Sequence, residues 1–67
     1  MGRRRVRGFE FRWYVSDHPP LHVHIFDEKG QEIGRFDLVH ERPMDDFVLT
    51  HKLRRALEEA GFLKPEE

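Results

Sequence analysis

Apolar and polar side chains alternate strictly near the start of the chain, with Phe9, Phe11, Trp13 and Val15 at every second position. Because successive residues of a β-strand point to opposite faces, this alternation predicts a strand with one buried face. Residues 16–20 end the strand, since their two prolines cannot donate hydrogen bonds to a β-ladder.

Two further strands follow the same alternating pattern. The second holds Leu21, Val23 and Ile25 at alternate positions. Residues 27–30 predict a hairpin turn whose glycine supplies a positive φ. A third strand then covers residues 31–39, and the segment ending in a proline stops it.

The last part of the chain changes to helical spacing. Its apolar stripe predicts an amphipathic helix that starts near Asp45, Asp46 or Thr50 and ends at Ala60. Gly61 fits the position after a helix, where the backbone often turns left-handed. The apolar stripe consists of Leu49, Leu53, Ala56, Leu57 and Ala60.

These elements predict an α+β fold of the order β-β-β-α. We expect a three-stranded antiparallel β-meander followed by one C-terminal α-helix packed on its apolar face. Residues 8–63 then form a single domain. Residues 1–7 form a basic flexible arm, and residues 64–67 form a frayed tail.

The expected pairing of the strands brings polar side chains together on the face away from the helix. Aligning the apolar residues of the first two strands sets Tyr14 opposite His22 and Arg12 opposite His24. This register leaves both histidines on the polar face.

The third strand requires a shift in register. Without one, Arg35 and Asp37 would face the core. A β-bulge at Gly34 changes the parity by one residue and removes this conflict. The shifted register sets Asp37 opposite His22 and Arg35 opposite His24.

The resulting patch has the residue types that metal-free cleavage of RNA requires. One of the imidazoles of His22 and His24 takes the 2′-OH proton, and the other protonates the leaving oxygen. Asp37 orients His22, the arginines hold a phosphate, and Tyr14 supports the site. The patch consists of Arg12, Tyr14, His22, His24, Arg35 and Asp37, with Asp17 and His18 as further participants from the loop.

The same residues have other interpretations. A solvated or partner-covered sheet face is made of similar polar side chains, which leaves an interaction module without chemistry as an alternative. His22 and His24 also stand at the spacing of two zinc ligands, with His18 or Asp17 as a third. Because the neighbouring arginines repel a cation, we expect no metal and no other cofactor.

Charge is distributed unevenly along a chain whose net charge is −1. Residues 1–16 carry five arginines against one glutamate, whereas residues 17–47 carry eight acidic against three basic side chains. Clustered arginines neutralise phosphates, so the arm predicts contact with RNA or DNA. The arginines of this cluster are Arg3, Arg4 and Arg5.

Composition excludes several classes of protein. The 67 residues contain no cysteine, which excludes disulfides and thiolate chemistry. Apolar runs are too short for a membrane helix or a secretory signal, so we expect a cytoplasmic protein with no membrane partner. A charged fraction of 37 %, with no Asn and one Gln, is compatible with a thermophilic source.

Residues 8–24 resemble the signature of a family of small prokaryotic proteins of unknown function. That signature is an arginine and aromatic strand followed by Asp-His-x-Pro-Pro-His-x-His. Members are often encoded in toxin–antitoxin-like gene pairs, so the resemblance implies a small partner protein encoded nearby. Leu21 stands where the family has its second proline, and the late tryptophan of its helix is missing. The matching positions are Gly8, Arg12, Tyr14, Asp17, His18, Pro20, His22 and His24.

We therefore expect a component of a toxin–antitoxin-like module that acts on RNA through the histidine and arginine patch. As an enzyme it would be a metal-free ribonuclease. The alternatives are a non-enzymatic module that binds protein or nucleic acid, and a metal-dependent hydrolase. So small a domain also gains stability from association, which makes a homodimer a further expectation.

Overall fold

The computed structural model describes residues 2–14 and 21–65. These residues form one antiparallel sheet in which each strand pairs with its neighbours in sequence. One helix packs on the sheet. The elements are β1 (Gly2–Val6), β2 (Phe9–Trp13), β3 (His22–Phe26), β4 (Glu32–Asp37), β5 (Arg42–Pro43) and α1 (His51–Ala60).

The expectation of three strands is wrong, because the sheet has five. The residues expected to form a flexible arm are instead β1, which pairs with β2 along its whole length. The segment expected to end the third strand forms the two-residue strand β5, which pairs with β4. The α+β class and the C-terminal helix agree with the sequence pattern.

Two features hold β1 in the sheet although its centre consists of arginines. Arg7 and Gly8 have φ values of 52° and 84°, and this pair of positive φ angles suits the twist of a tight hairpin. Contacts with the end of α1 add to this, since Arg4 Nη1 donates to the carbonyl oxygen of Ala60 at 2.9 Å and Arg7 pairs with Glu59. These contacts are distant in sequence, so local alternation does not predict them.

The predicted registers are confirmed within the paired residues, whereas Tyr14, predicted opposite His22, lies after the last residue of β2 and packs its ring on His24. Arg12 lies opposite His24 in the pairing of β2 and β3. The pairing of β3 and β4 shifts between Ile25 and Phe26, so that Asp37 lies opposite His22 and Arg35 lies opposite His24. The bulge was predicted at Gly34, but Gly34 pairs with Ile25, and the extra residue of β4 is its neighbour Ile33.

The core lies between the sheet and α1. Phe11 and Phe36 are fully buried on the sheet, and Leu57 is fully buried on the helix. The aromatic ring of Phe62 packs edge to face on Phe11 and Trp13, with centroids 5.6 and 5.5 Å apart. The buried core consists of Phe11, Val23, Ile25, Phe36, Leu53, Ala56, Leu57, Ala60 and Leu63.

Both ends of α1 are capped. Thr50 is the N-cap, and its hydroxyl accepts a hydrogen bond from the backbone N–H of Leu53 at 3.2 Å. At the other end Gly61 has a φ of 86°, and the N–H of Phe62 donates to the carbonyl oxygen of Leu57 at 2.9 Å. This Schellman ending confirms the predicted stop. Within the described ranges, no helix is both long enough and apolar enough to cross a membrane.

Replacement of Gly34 by alanine is expected to lower the free energy of unfolding by about 1–3 kcal/mol. A Cβ atom at this buried position would lie 2.5 Å from Cδ1 of Phe47, so the segment that leads into α1 would have to move. Urea denaturation measures the effect. The exposed Gln31→Ala in the same hairpin serves as the control and should change stability by less than about 0.5 kcal/mol. Equal stability of the two variants would contradict the packing role of Gly34.

Candidate nucleic-acid interface

The sheet face opposite α1, which we call the outer face, carries most of the predicted site. Strand pairing aligns four basic side chains in a row across β1 to β4. Because neighbouring strands lie about 4.8 Å apart, this row spans about 14 Å. The basic row consists of Arg3, Arg12, His24 and Arg35.

The two histidines of β3 pack edge to face. The ring centroids of His22 and His24 are 5.1 Å apart, and the ring of Tyr14 lies 5.4 Å from that of His24. His22 is only 6 % exposed, whereas the side chain of His24 is 19 % exposed and its Nδ1 lies 3.0 Å from a Glu32 oxygen. The fold thus brings the predicted proton-transfer pair together but gives its members unequal access to the surface.

Asp37 lies opposite His22, as predicted, but its carboxylate is held by His40, which is not among the predicted site residues. Its Oδ1 accepts hydrogen bonds from the backbone N–H groups of Val39 and His40, at 2.8 and 3.0 Å. Its Oδ2 lies 2.7 Å from Nδ1 of His40. These hydrogen bonds from the backbone and ring of His40 lower the pKa of Asp37 to about 2. Asp37 therefore fastens the turn that leads to β5.

Glu10 is a second buried carboxylate on the outer face and is 7 % exposed. Arg5 donates to its Oε1 at 3.0 Å, and Arg12 donates to its Oε2. These hydrogen bonds, with that of Arg5 the largest contribution, lower the pKa of Glu10. Arg12 also bonds to Tyr14, and its guanidinium carbon lies 4.4 Å from the ring centroid of Phe26.

Arg35 lies in the basic row but forms a two-pronged pair with Asp45. Its Nε and Nη2 donate to the two carboxylate oxygens at 3.1 and 2.8 Å, and its backbone N–H donates at 2.8 Å. Hydrogen bonding from the Arg35 side chain lowers the pKa of Asp45. The predicted phosphate ligand at this end of the row thus already holds an internal carboxylate.

The arginines of the predicted arm are distributed between the two faces of β1. Arg3 and Arg5 lie on the outer face, opposite Arg12 and Glu10 respectively. Arg4 lies on the helix side, where it caps the end of α1. The cluster read from the sequence as one basic run therefore contributes two side chains to the outer face.

The metal-binding alternative depends on residues outside the described ranges. Among residues 2–14 and 21–65, no three His, Asp or Glu side chains group around a common point as metal ligands would. His22 and His24 supply two imidazoles, but Asp17 and His18, the predicted third ligands, lie outside the described residues. Zinc coordination therefore has no support from the described geometry.

Cavities concentrate where β1 and β2 meet the outer face. One of about 410 Å³ includes Arg5, Glu10, Arg12 and Phe26 in its lining. Another, of about 560 Å³, includes Arg3, Arg12 and Tyr14 in its lining, and a third, of about 350 Å³, lies along the three arginines of β1. We call this region, defined by Arg3, Arg5, Glu10 and Arg12, the arginine corner.

Asp37→Asn is expected to lower the free energy of unfolding at neutral pH. The carboxyl pKa lies near 3.8 in the unfolded chain and about 2 in the folded chain, so ionised Asp37 favours folding. That stabilisation is present above pH 4 and is lost as the pH falls to 2. Urea denaturation at a series of pH values should show the two proteins converging at about pH 2. The control Asp46→Asn alters an exposed carboxylate and should follow the parent protein. A constant difference between Asp37→Asn and the parent across this range would contradict the assignment.

Comparison with known proteins gave no match to a family model, to a curated protein or to a solved structure. The resemblance of residues 8–24 to a family of small prokaryotic proteins therefore stays a prediction from the sequence. Conclusions about function rest on the geometry of the outer face.

Proposed function

We propose that this protein binds single-stranded RNA across the outer face of its sheet, with phosphates held at the arginine corner. The observation that carries the proposal is that Arg5 and Arg12 share the Glu10 carboxylate while Arg3 lies opposite Arg12 on the neighbouring strand. Asp27 and Glu28 balance the charge of the cavity beside Arg5, whereas the cavity lined by Gly2, Arg3, Arg12 and Tyr14 has two arginines and no acid among these lining residues. The positive excess on this side of the arginine corner attracts an anionic backbone.

Aromatic rings next to the arginine corner favour a single strand over a duplex. Tyr14 is 36 % exposed and His24 lies beside it, while the guanidinium of Arg12 covers the Phe26 ring and adds a planar surface of its own. Rings on an open sheet face stack with unpaired bases, while arginines between them bind the phosphates. A duplex keeps its bases stacked on each other and would leave these rings unused.

The distribution of charge on the outer face also predicts how the bound RNA is oriented. At the β4 side Arg35 is paired with Asp45, and His24 lies against Glu32. These pairs cancel most of the local positive charge. The RNA backbone should therefore enter along β1 and β2, with its bases directed toward β3.

RNA cleavage by His22 and His24 is a second candidate function, and the proximity of their rings favours it. Cleavage needs both imidazoles at the substrate. Burial of His22 and the engagement of Asp37 with His40 give more support to binding than to catalysis. Binding is therefore the leading proposal.

The resemblance of residues 8–24 adds a cellular setting to this proposal. It implies a toxin–antitoxin-like module in the cytoplasm of a prokaryote, with a small partner protein encoded nearby. An RNA-binding component of such a module would act through the arginine corner, and its partner would control access to that corner.

The affinity for a single-stranded RNA oligonucleotide is expected to fall with salt. Neutralisation of three phosphates predicts a slope of about −2 in log K against log salt concentration. Arg3→Ala removes one phosphate contact, so it should weaken binding and reduce the steepness of the slope by about 0.7. Fluorescence anisotropy over a salt series measures both quantities.

The matched control is Arg55→Ala, which removes an exposed arginine from the helix on the opposite side of the sheet. It should leave both affinity and slope unchanged. Equal effects of the two substitutions would reduce the interaction to unspecific charge attraction and overturn the proposed site. Tighter binding of a DNA duplex than of single-stranded RNA would overturn the proposed ligand.

The two candidate functions predict different results in an RNA cleavage assay run with excess chelator and with added zinc. The binding proposal predicts intact RNA under both conditions, for the parent and for the His22→Ala, His24→Ala double variant. Cleavage that survives chelator and is lost in the folded double variant would replace binding by acid–base catalysis. Cleavage only with zinc would establish the metal-dependent alternative.

A further inference from the structure

We propose that the outer edge of β1 binds an acidic, extended segment of a partner protein as a sixth strand of the sheet. This inference goes beyond RNA binding, because it concerns the backbone edge of β1 and a protein ligand. Peptide segments that extend a sheet in this way gain affinity from main-chain hydrogen bonds and specificity from alternate side chains.

The two edges of the sheet differ in their capacity to accept a strand. β5 has two residues, and its Pro43 lacks a backbone N–H, so this edge is protected. β1 has five residues, and in the part of the chain that the structure describes no strand pairs with its outer side. Alternate residues of an edge strand direct N–H and C=O groups outward, where a further strand can bind them.

The charge of β1 selects against a second copy of the same strand. An antiparallel pair of β1 strands centred on Arg4 would set Arg4 opposite Arg4 and Arg3 opposite Arg5. Like charges directly opposite each other destabilise a strand pair. Antiparallel pairings of two β1 strands that are shifted by one residue from this alignment also set an arginine opposite an arginine. The edge is therefore disfavoured as a homodimer interface.

The same arginines define the partner segment. Arg3 and Arg5 project from the outer face about 7 Å apart, which matches side chains two residues apart on a facing strand. The segment should therefore carry Asp or Glu at two alternate positions on that face. On the helix side the Arg4 side chain donates to the carbonyl oxygen of Ala60, so it is engaged with the end of α1 and sets no requirement for an acid between the two alternate positions.

A strand in this position would lie beside the arginine corner. Its acids would occupy Arg3 and Arg5, which the proposed function assigns to RNA phosphates. Partner and RNA should therefore compete, and this competition is the only step of the inference that rests on the proposed function. Arg12 lies one strand further in and belongs to the RNA site alone.

The test uses the full chain and a short peptide that has Glu at every second position and Val or Thr at the positions between. Hydrogen exchange followed by NMR should show that the peptide protects backbone amides of β1 and leaves those of β5 unchanged. Arg3→Glu should weaken binding by about threefold to tenfold. The control Arg42→Glu reverses an exposed charge on β5, at the opposite edge of the sheet, and should bind the peptide as the parent does.

A second peptide separates strand addition from charge attraction. It carries the same glutamates, but N-methyl groups on alternate residues remove the donors that a β-ladder needs. Loss of binding to this peptide is the expected result. Equal binding of both peptides, protection outside β1, no binding of either peptide, or dimerisation of the protein through β1 would each overturn the inference.

Failure of this inference is distinguishable from failure of the proposed function. Peptide binding is measured without RNA, and Arg12→Ala should weaken RNA binding while it leaves peptide binding in place. When both ligands bind the parent protein, the peptide should displace RNA. Simultaneous binding of both would overturn the predicted competition.

Discussion

The change of parity between β3 and β4 is the constraint on which both faces of this protein depend. Without it, the alternation of β4 would bury Arg35 and Asp37 and expose Phe36, at a cost that one small core could not offset. With it, Phe36 joins the core and Asp37 lies beside His22. The same irregularity therefore completes the hydrophobic layer and assembles the polar face.

Buried carboxylates organise that polar face. Glu10 holds Arg5 and Arg12, whereas Asp37 holds the turn at His40. An ionised carboxylate is expensive to bury unless several donors satisfy it, and both groups have such donors. Glu10 thus fixes arginine side chains that would otherwise lose conformational entropy on meeting an anion. Such preorganisation lowers the entropic cost of binding.

The central part of the fold was predictable because its sequence follows simple periodicity. Alternation identified β2, β3 and β4, and the cost of burying Arg35 with Asp37 predicted a bulge at Gly34, one residue from its observed position at Ile33. Two strands were missed for physical reasons. β1 is a strand because its turn and its contacts with α1 hold it, not because its side chains alternate. β5 has only two residues, and no sequence pattern distinguishes so short a strand from a loop.

The contact between His40 and Asp37 was not predicted, since capping of a turn leaves no periodic signal. An acid followed three residues later by a histidine is a sequence signal from which this contact could have been predicted.

The hydrogen bond from Arg4 to Ala60 joins residues that are 56 positions apart in sequence. Protein synthesis proceeds from the N-terminus at about 5–20 residues per second. Arg4 is therefore added to the chain about 3–11 seconds before Ala60, which supplies its acceptor. During that interval the arginine-rich hairpin of β1 and β2 is held by its turn and ladder alone, without the helix that later covers it. The hairpin of β1 and β2 thus gains its contacts with α1 only after the rest of the sheet has been made, and nascent chains halted before α1 would expose the apolar side of this hairpin.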